Sequence, residues 1–110
     1  MQLQDMQRAI DDWIGDNGGY WSELSLLARL SEEVGELARA YNHAFGQKKP
    51  KTSEAMVAIE EEMADVLWIL LCMANQQSID LDAAFRRTLR KVEVRDSGRF
   101  GGSEAARESE

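Results

Sequence analysis

Residues 60–73 read EEEMADVLWILLCM, so that an acidic segment runs directly into eight apolar residues. The acidic half is typical of an amphipathic helix, and the second half is apolar on nearly every side. The second half is therefore predicted to be buried on more than one side. Asp65 stands at the boundary between the two halves, and an ionised carboxylate in apolar surroundings is costly without a partner. We therefore expect other groups to compensate Asp65.

A second acidic segment, EEVGE at residues 32–36, lies in an earlier amphipathic stretch. Glu33 and Glu36 are three residues apart, as are Glu62 and Asp65, and residues three apart share one face of a helix. A short connection between the two helices predicts an antiparallel hairpin. If the hairpin turns near position 49, Glu36 faces Glu62 and Glu33 faces Asp65. Four carboxylates would then converge between two helices.

The spacing of apolar residues along the rest of the chain predicts an all-α fold with four helices. Their expected limits are Leu3 to Ile14, a second helix capped by Ser22 and ending at Gly46, a third from Thr52 or Ser53 to about Gln76, and a fourth from Ser78 or Asp80 through Val92. We expect one helical domain over residues 1–96 and a flexible tail over residues 97–110, where glycine, serine and charged residues dominate.

Composition excludes several classes of protein. The chain of 110 residues is long enough for one domain, and its net charge of −7 argues against a nucleic-acid-binding surface. Cys72 is the single cysteine and lies among apolar residues, which indicates a buried structural thiol. The N-terminus has no signal-peptide pattern, and the apolar run at residues 66–74 is shorter than the roughly 20 residues of a membrane span. A soluble cytoplasmic protein that does not bind membranes is expected.

Four carboxylates between two helices would repel one another strongly unless cations neutralised them. A site made only of oxygen ligands suits Mg²⁺, or Mn²⁺, much better than Zn²⁺. Helical di-iron sites use Glu-x-x-His motifs instead. The only histidine, His43, lies seven residues beyond Glu36, so that a di-iron site is disfavoured.

An ordinary solvated helix face is the simplest alternative interpretation of the first acidic segment. Arg29 and Arg39 are placed to form surface ion pairs with Glu32, Glu33 and Glu36. The matched second pair of carboxylates favours a site over this alternative. Gly35 within the segment costs about 1 kcal/mol relative to alanine, which is consistent with the close approach of a helix or a ligand.

The two acidic segments together resemble the signature of the MazG-type nucleotide pyrophosphohydrolases, which belong to the all-α nucleoside triphosphate pyrophosphohydrolase superfamily. The resemblance rests on Glu32-Glu33-x-x-Glu36 followed, after 25 residues, by Glu62-x-x-Asp65. The Ala38-Arg39-x-x-Asn42-His43 continuation and the Lys91-x-x-x-Arg95-Asp96 end are similar to the small single-domain bacterial (YpjD-like) members. It covers about residues 3–100.

The resemblance implies hydrolysis of a nucleoside triphosphate or deoxynucleoside triphosphate between the α- and β-phosphates, giving a monophosphate and pyrophosphate. A house-cleaning role against non-standard nucleotides is implied as well. By the same resemblance Glu33, Glu36, Glu62 and Asp65 are the metal ligands. Glu32 and Glu33 are the catalytic candidates, with Glu32 expected to position or deprotonate the attacking water or to hold a further metal ion.

Phosphate groups beyond the metal need cations. Lys91 and Arg95, four residues apart on the fourth helix, are the candidates for this role. Three lysines of the connection between the second and third helices are alternatives: Lys48, Lys49 and Lys51. A solvated surface charge is the competing interpretation of each of them.

The nucleoside also needs partners. Trp68 or Trp21 is a candidate for stacking on the base, although an aromatic residue at helical spacing is more often part of the core. Asn75 is a candidate for a hydrogen bond to the base or sugar, although a polar residue near a helix end is more often a cap or a solvent contact.

An apolar third helix on the surface of a monomer would expose a large patch, which soluble monomers seldom do. We therefore predict a homodimer or a dimer of dimers with this helix at its centre. Two functions of other classes stay open at this point. The chain could be a non-catalytic helical dimerisation or regulatory module, or a metal-stabilised structural bundle.

Overall fold

The computed structural model describes residues 1–46 and 52–100, with side chains described up to residue 95. It contains four helices in chain order: α1 Leu3–Asp16, α2 Glu23–Phe45, α3 Ser53–Gln76 and α4 Leu81–Phe100. Residues 1–46 and 52–100 include no strand, and the predicted all-α class is confirmed. The predicted lysine-rich connection and the last ten residues of the predicted tail lie outside the described residues.

Short polar side chains begin three of the helices. Ser22, Thr52 and Asp80 each accept a hydrogen bond from the backbone N–H of the residue three positions later. Such caps satisfy one of the unpaired N–H groups in the first helical turn. The cap of α3 is therefore Thr52, with Ser53 as its first helical residue, and the cap of α4 is Asp80 rather than Ser78.

Helix α4 is longer than predicted, since it continues through Ser97 to Phe100 where a flexible tail was expected. Its one interior glycine there, Gly98, lowers helix stability by about 1 kcal/mol but does not remove a backbone donor as proline would. The division into a helical domain over residues 1–96 and a flexible tail over residues 97–110 stays a prediction. None of the four helices, as far as they are described, is long and apolar enough to cross a membrane.

Helices α2 and α3 form the central antiparallel hairpin. Near one end, Leu26 of α2 packs with Leu71 and Cys72 of α3 in a buried cluster. Near the other end, Ala44 of α2 packs with Ala55 of α3 in a second buried cluster. Residues placed symmetrically about position 49 thus meet across the hairpin, as the sequence predicted.

The remaining helices cover only part of this hairpin. Ile10 of α1 packs with Leu26 and Leu71, and Leu81 at the start of α4 packs beside them. Helix α4 contacts mainly α1, and its residues 85–95 are exposed, with Phe85 and Leu89 about half exposed. The core is therefore concentrated where α1 meets the hairpin.

The apolar half of α3 is less buried within one chain than predicted. Ile69, Leu71 and Cys72 are buried, but Trp68 and Leu70 are each 40% exposed. The physical reason is that α3 packs mainly against α2 and α1, while α4 leaves its remaining face open.

Two side-chain amides join α1 to the end of α3. Asn75 accepts a hydrogen bond from Gln7 Nε2 at 2.8 Å and donates to the Gln7 carbonyl at 2.8 Å and to the Tyr20 hydroxyl at 2.9 Å. Gln7 also donates to the carbonyl of Ile79 and accepts from the N–H of Leu81. We call Gln7, Asn75 and Tyr20 the amide network. It ties both ends of the α3–α4 turn to α1.

Candidate metal centre

Three carboxylates from the two central helices meet at the hairpin interface. Glu33 of α2 and Glu62 and Asp65 of α3 each place one carboxylate oxygen within 4.8 Å of the other two. We call these three residues the carboxylate cluster. Along both helices they lie between the two buried apolar clusters, so that packing on either side holds their backbone positions.

The buried member of the cluster is not the residue that the sequence predicted. Glu33 is buried, with 8% of its surface exposed, whereas Asp65 is exposed and Glu62 is intermediate. The expectation that Asp65 bears the cost of desolvation was wrong, because this face of α3 stays open to solvent. Glu33 bears that cost and needs the compensating charge.

The negative charges of neighbouring carboxylates repel one another, and this repulsion affects the pKa of Glu62. Desolvation raises the pKa of Glu62, and the charges of Asp65, Glu33, Glu36 and Glu61 raise it further. Each of these effects disfavours the ionised form. A divalent cation would reverse the balance, because it stabilises the ionised carboxylates that protons would otherwise neutralise.

The chemistry of the cluster fits Mg²⁺ or Mn²⁺. All three groups are hard oxygen ligands, and no histidine or cysteine of the described part of the chain joins them. Two ligands of one Mg²⁺ ion stand at most about 4.2 Å apart, given bonds of about 2.1 Å. The three oxygens lie within 4.8 Å of one another, so that small side-chain movements would bring them within that limit.

Glu36, the fourth predicted ligand, is outside the carboxylate cluster in this structure. Its carboxylate pairs with Arg39, with Nη1 and Oε2 separated by 3.5 Å, and half of its side chain is exposed. It is close enough for its charge to raise the pKa of Glu62. Metal ligation by Glu36 stays a prediction.

Glu32, the predicted catalytic residue, is not one of the three residues of the carboxylate cluster, and 65% of its side chain is exposed. It pairs with Arg29, whose Nη1 lies 3.2 Å from Glu32 Oε2, while Arg29 Nε lies 3.0 Å from Glu33 Oε1. The surface ion pairs expected for a solvated face do form, therefore, and they coexist with the carboxylate cluster. The catalytic role of Glu32 stays a prediction.

An aromatic cleft is lined in part by α3, the helix that carries Glu62 and Asp65. Trp13, Tyr20, Trp21 and Trp68 line a cavity of about 280 Å³, which we call the aromatic cleft. The rings of Trp13 and Trp68 meet edge to face, with centroids 5.9 Å apart. Trp68 follows Asp65 by three residues, so that the two share a face of α3.

The sequence pointed to Trp68 and Trp21 as candidates for contact with the base. It did not indicate that Trp13 and Tyr20 line the same cleft. Trp13 lies in α1, and 55% of it is exposed. The available signal was the position of these residues on either side of the Asn17-Gly18-Gly19 break. Gly18 and Gly19 both adopt positive φ, which turns the chain back toward the cleft.

Cys72 contributes to the wall of the aromatic cleft and is 2% exposed. Burial raises the pKa of its thiol, so that the protonated, unreactive form is favoured. The interpretation of Cys72 as a structural thiol agrees with this environment.

The cations predicted for phosphate binding are not on the helices that carry the cluster. Lys91 and Arg95 lie on the exposed part of α4, where they line an open surface together with Arg87 and Arg90. Helix α4 packs mainly against α1, whereas the cluster belongs to α2 and α3. The alternatives Lys48, Lys49 and Lys51 lie outside the described residues.

Asn75, predicted to contact the base or sugar, is occupied by the amide network instead. Its side-chain oxygen accepts one hydrogen bond, and its side-chain nitrogen donates two. A contact with a nucleotide would require at least one of these bonds to break. Asn75 therefore serves the packing of α1 on α3 in this structure, and a role in nucleotide binding stays a prediction.

Comparison with known proteins places the chain among close relatives. Residues 21–100 match the family described as the MazG nucleotide pyrophosphohydrolase domain. The protein YpjD of Bacillus subtilis is 43% identical over 99 residues, which cover 89% of each chain.

Two solved structures are also similar to this chain. A crystal structure of YpjD from Bacillus subtilis superposes with a TM-score of 0.74 at 43% identity and covers 83% of this chain and 94% of its own. The crystal structure of the Bacillus-conserved MazG protein, a nucleotide pyrophosphohydrolase, gives a TM-score of 0.71 at 42% identity, with coverage of 83% and 88%.

Proposed function

This chain belongs to the MazG nucleotide pyrophosphohydrolase family, and we propose that it hydrolyses nucleoside triphosphates between the α- and β-phosphates, releasing a monophosphate and pyrophosphate. The observation that carries the proposal is the convergence of Glu33, Glu62 and Asp65 at one point of the helical hairpin. A polyphosphate is strongly anionic, and a protein site made of carboxylates can bind it only through cations.

The carboxylate cluster would hold Mg²⁺, or Mn²⁺ in its place, with Glu36 as a further ligand. When bound, such an ion polarises a phosphate oxygen and lowers the pKa of a coordinated water. Glu33 is the buried and most constrained member, and Arg29 fixes one of its oxygens. Glu32 lies beside the cluster in contact with solvent, where it could accept the proton of the attacking water.

The aromatic cleft is the proposed place for the base. Trp68 lies one helical turn beyond Asp65, and 40% of its surface is available for contact. Stacking of a base on an aromatic ring contributes about 1–3 kcal/mol and tolerates different bases. This tolerance agrees with a role against several non-standard nucleotides.

A homodimer, or a dimer of dimers, is part of the same proposal. Leu70 on α3 and Phe85 and Leu89 on α4 leave apolar surface that a second copy would cover. In such an assembly, Lys91 and the other cations of α4 could serve the cluster of the neighbouring copy. We expect the reaction to take place in the cytoplasm, where nucleotides and Mg²⁺ are available.

The test is a product analysis in water labelled with oxygen-18. The protein is incubated with a panel of ribo- and deoxyribonucleoside triphosphates and with Mg²⁺ or Mn²⁺, and the products are separated by mass. Pyrophosphate with the label in the monophosphate is the expected result, since water then attacks the α-phosphorus. Orthophosphate alone would refute the cleavage position. No turnover of any nucleotide with either metal would favour a non-catalytic helical module.

A further inference from the structure

Arg29 contacts two carboxylates at once at the edge of the carboxylate cluster. Its Nε lies 3.0 Å from Glu33 Oε1, and its Nη1 lies 3.2 Å from Glu32 Oε2. The Arg29 side chain is 46% exposed, whereas only 10% of the Glu33 side chain is exposed. The guanidinium group therefore lies between a buried carboxylate and solvent.

The buried charge of Glu33 explains why Arg29 lies there. An ionised carboxylate with so little exposure requires a partner, and a guanidinium group one helical turn away supplies it. Glu62 and Asp65 add two further carboxylates within 4.8 Å. A divalent cation bound by these three groups would neutralise Glu33 and would also repel Arg29, because two cations would share one carboxylate.

We propose that Arg29 is a phosphate-binding cation of this site, which neutralises Glu33 in the metal-free protein and contacts a substrate phosphate when a divalent cation occupies the cluster. This proposal rests on the proposed function, since the phosphate that Arg29 would contact belongs to the polyphosphate of the substrate. The exchange needs only a rotation of the exposed Arg29 side chain. A guanidinium group suits phosphate because its N–H groups bind two oxygens in parallel.

Arg29 is also better placed than Lys91 and Arg95, the cations of α4 that were named from the sequence. It lies on α2 itself and contacts a member of the cluster directly. Lys91 lies on α4, which packs mainly against α1, so that it would need a second copy or a large movement to reach the cluster.

The proposal predicts opposite effects of Arg29→Gln on two ligands. Mn²⁺ alone should bind about three- to tenfold more tightly, because a nearby positive charge is removed. Inorganic tripolyphosphate, tested with saturating Mn²⁺, should bind about 10–100-fold more weakly, because charged hydrogen bonds to phosphate are lost. If Arg29 only held Glu33 in position for the metal, Mn²⁺ binding would weaken instead.

The experiment measures Mn²⁺ binding by electron paramagnetic resonance and tripolyphosphate binding by calorimetry on the full chain. Arg8→Gln is the matched control, since Arg8 pairs with Asp5 on α1, outside the cluster, and its side chain is 69% exposed. It should change both affinities less than about twofold. Neither measurement needs turnover, so that a failure of the pyrophosphohydrolase assay leaves this test decisive.

Weaker Mn²⁺ binding by Arg29→Gln, or tripolyphosphate binding equal to that of the wild type, would overturn the proposal. If Arg29→Gln does not fold by circular dichroism, Arg29→Lys replaces it. Arg29→Lys keeps the charge and loses the paired N–H groups, and we expect at least about threefold weaker tripolyphosphate binding. Unchanged binding by Arg29→Lys would then count against the proposal.

Discussion

Glu33 on α2 and Asp65 on α3 approach each other across the helical hairpin, with carboxylate oxygens within 4.8 Å. One of the two is buried and the other is exposed, so that the pair joins the interior of the hairpin to solvent. A cation can therefore enter from the Asp65 side and still neutralise the buried charge of Glu33.

Divalent cations should stabilise the fold through this cluster. We expect saturating Mg²⁺ or Mn²⁺ to raise Tm by at least about 5 °C, because an ion that binds only the folded state shifts the equilibrium toward it. Glu62→Gln should remove most of the increase, since it removes one of the three charges. The measurement is thermal unfolding with and without the metal.

Glu61→Gln is the control for this experiment, because Glu61 is the exposed neighbour of Glu62 and is not part of the cluster. It should keep nearly the whole metal-dependent increase. Equal losses in the two variants would mean that the metal effect comes from general charge screening.

Tyr20 should give stability a dependence on alkaline pH. Burial, together with the hydrogen bond that Tyr20 donates to Asp11, raises the pKa of Tyr20 from 10.0 to about 12. The folded state thus retains the proton that the unfolded state loses. This contribution is fully present below about pH 10, and the free energy of unfolding should fall as pH rises from about 10 to about 12.

The measurement is urea unfolding of the wild type and Tyr20→Phe across that range. The two curves of stability against pH should converge as pH rises, because Tyr20→Phe has no phenol to ionise. Parallel curves would show that Tyr20 titrates alike in both states. Absorbance of the tyrosinate form gives the pKa directly.

Gly35→Ala tests whether a ligand or a second copy of the chain lies against the first acidic segment. Apart from its chain neighbours and the backbone of its own helix, a methyl group at Gly35 would meet no atom of the described residues within 4 Å, and the same is true of Gly15 in α1. Each substitution should stabilise the folded chain by about 0.8–1 kcal/mol, because alanine favours the helix. Urea unfolding measures both, with Gly15→Ala as the matched control.

The comparison of the two variants also bears on function. If a ligand or a second copy lies against Gly35, Gly35→Ala should lower nucleotide turnover while Gly15→Ala leaves it unchanged. Equal activity of both variants would mean that the glycine at position 35 serves no close approach.

Ser78→Gly should stabilise the turn between α3 and α4. Ser78 has φ of 58°, and its N–H donates to the Asn75 carbonyl at 3.0 Å while the N–H of Ile79 donates to Ala74 at 2.8 Å. Glycine adopts this left-handed conformation at the end of a helix without steric cost. We expect a gain of about 0.5–1 kcal/mol in the free energy of unfolding. A loss of stability would show that the serine side chain contributes more than the strain it causes.

Asn75→Ala should destabilise the protein by about 2–3 kcal/mol, because three part-buried hydrogen bonds of roughly 1 kcal/mol each are lost. Denaturant unfolding measures the effect, and Asn42→Ala, at an exposed position of α2, should change stability by less than about 0.5 kcal/mol. A stable Asn75→Ala variant with a raised KM for nucleotide would instead support the predicted contact with the substrate.

Local sequence was sufficient for the helices and for the hairpin register. Caps at Ser22 and Thr52 and the apolar spacing placed α2 and α3 nearly at their observed limits. Since the two helices are antiparallel, distance from the turn decided which residues meet. The convergence of Glu33, Glu62 and Asp65 could therefore be predicted before any coordinates.

Local sequence could not predict which side chains are buried or which groups they pair with. Which carboxylate is buried depends on which faces of α3 the other helices leave open, and α4 covers less of it than a closed bundle would. The orientation of Arg29 toward Glu33 and the occupation of Asn75 by Gln7 depend on side-chain positions within the folded chain.

The sequence by itself determined that this protein is a helical hairpin carrying acidic residues in register, because helical periodicity and chain reversal are local properties. Only the tertiary structure decided that Glu33 is the buried member of the cluster, that Arg29 compensates it, and that four aromatic side chains line one cleft. These features arise from packing between distant segments, whose solvent exposure no single stretch of sequence specifies.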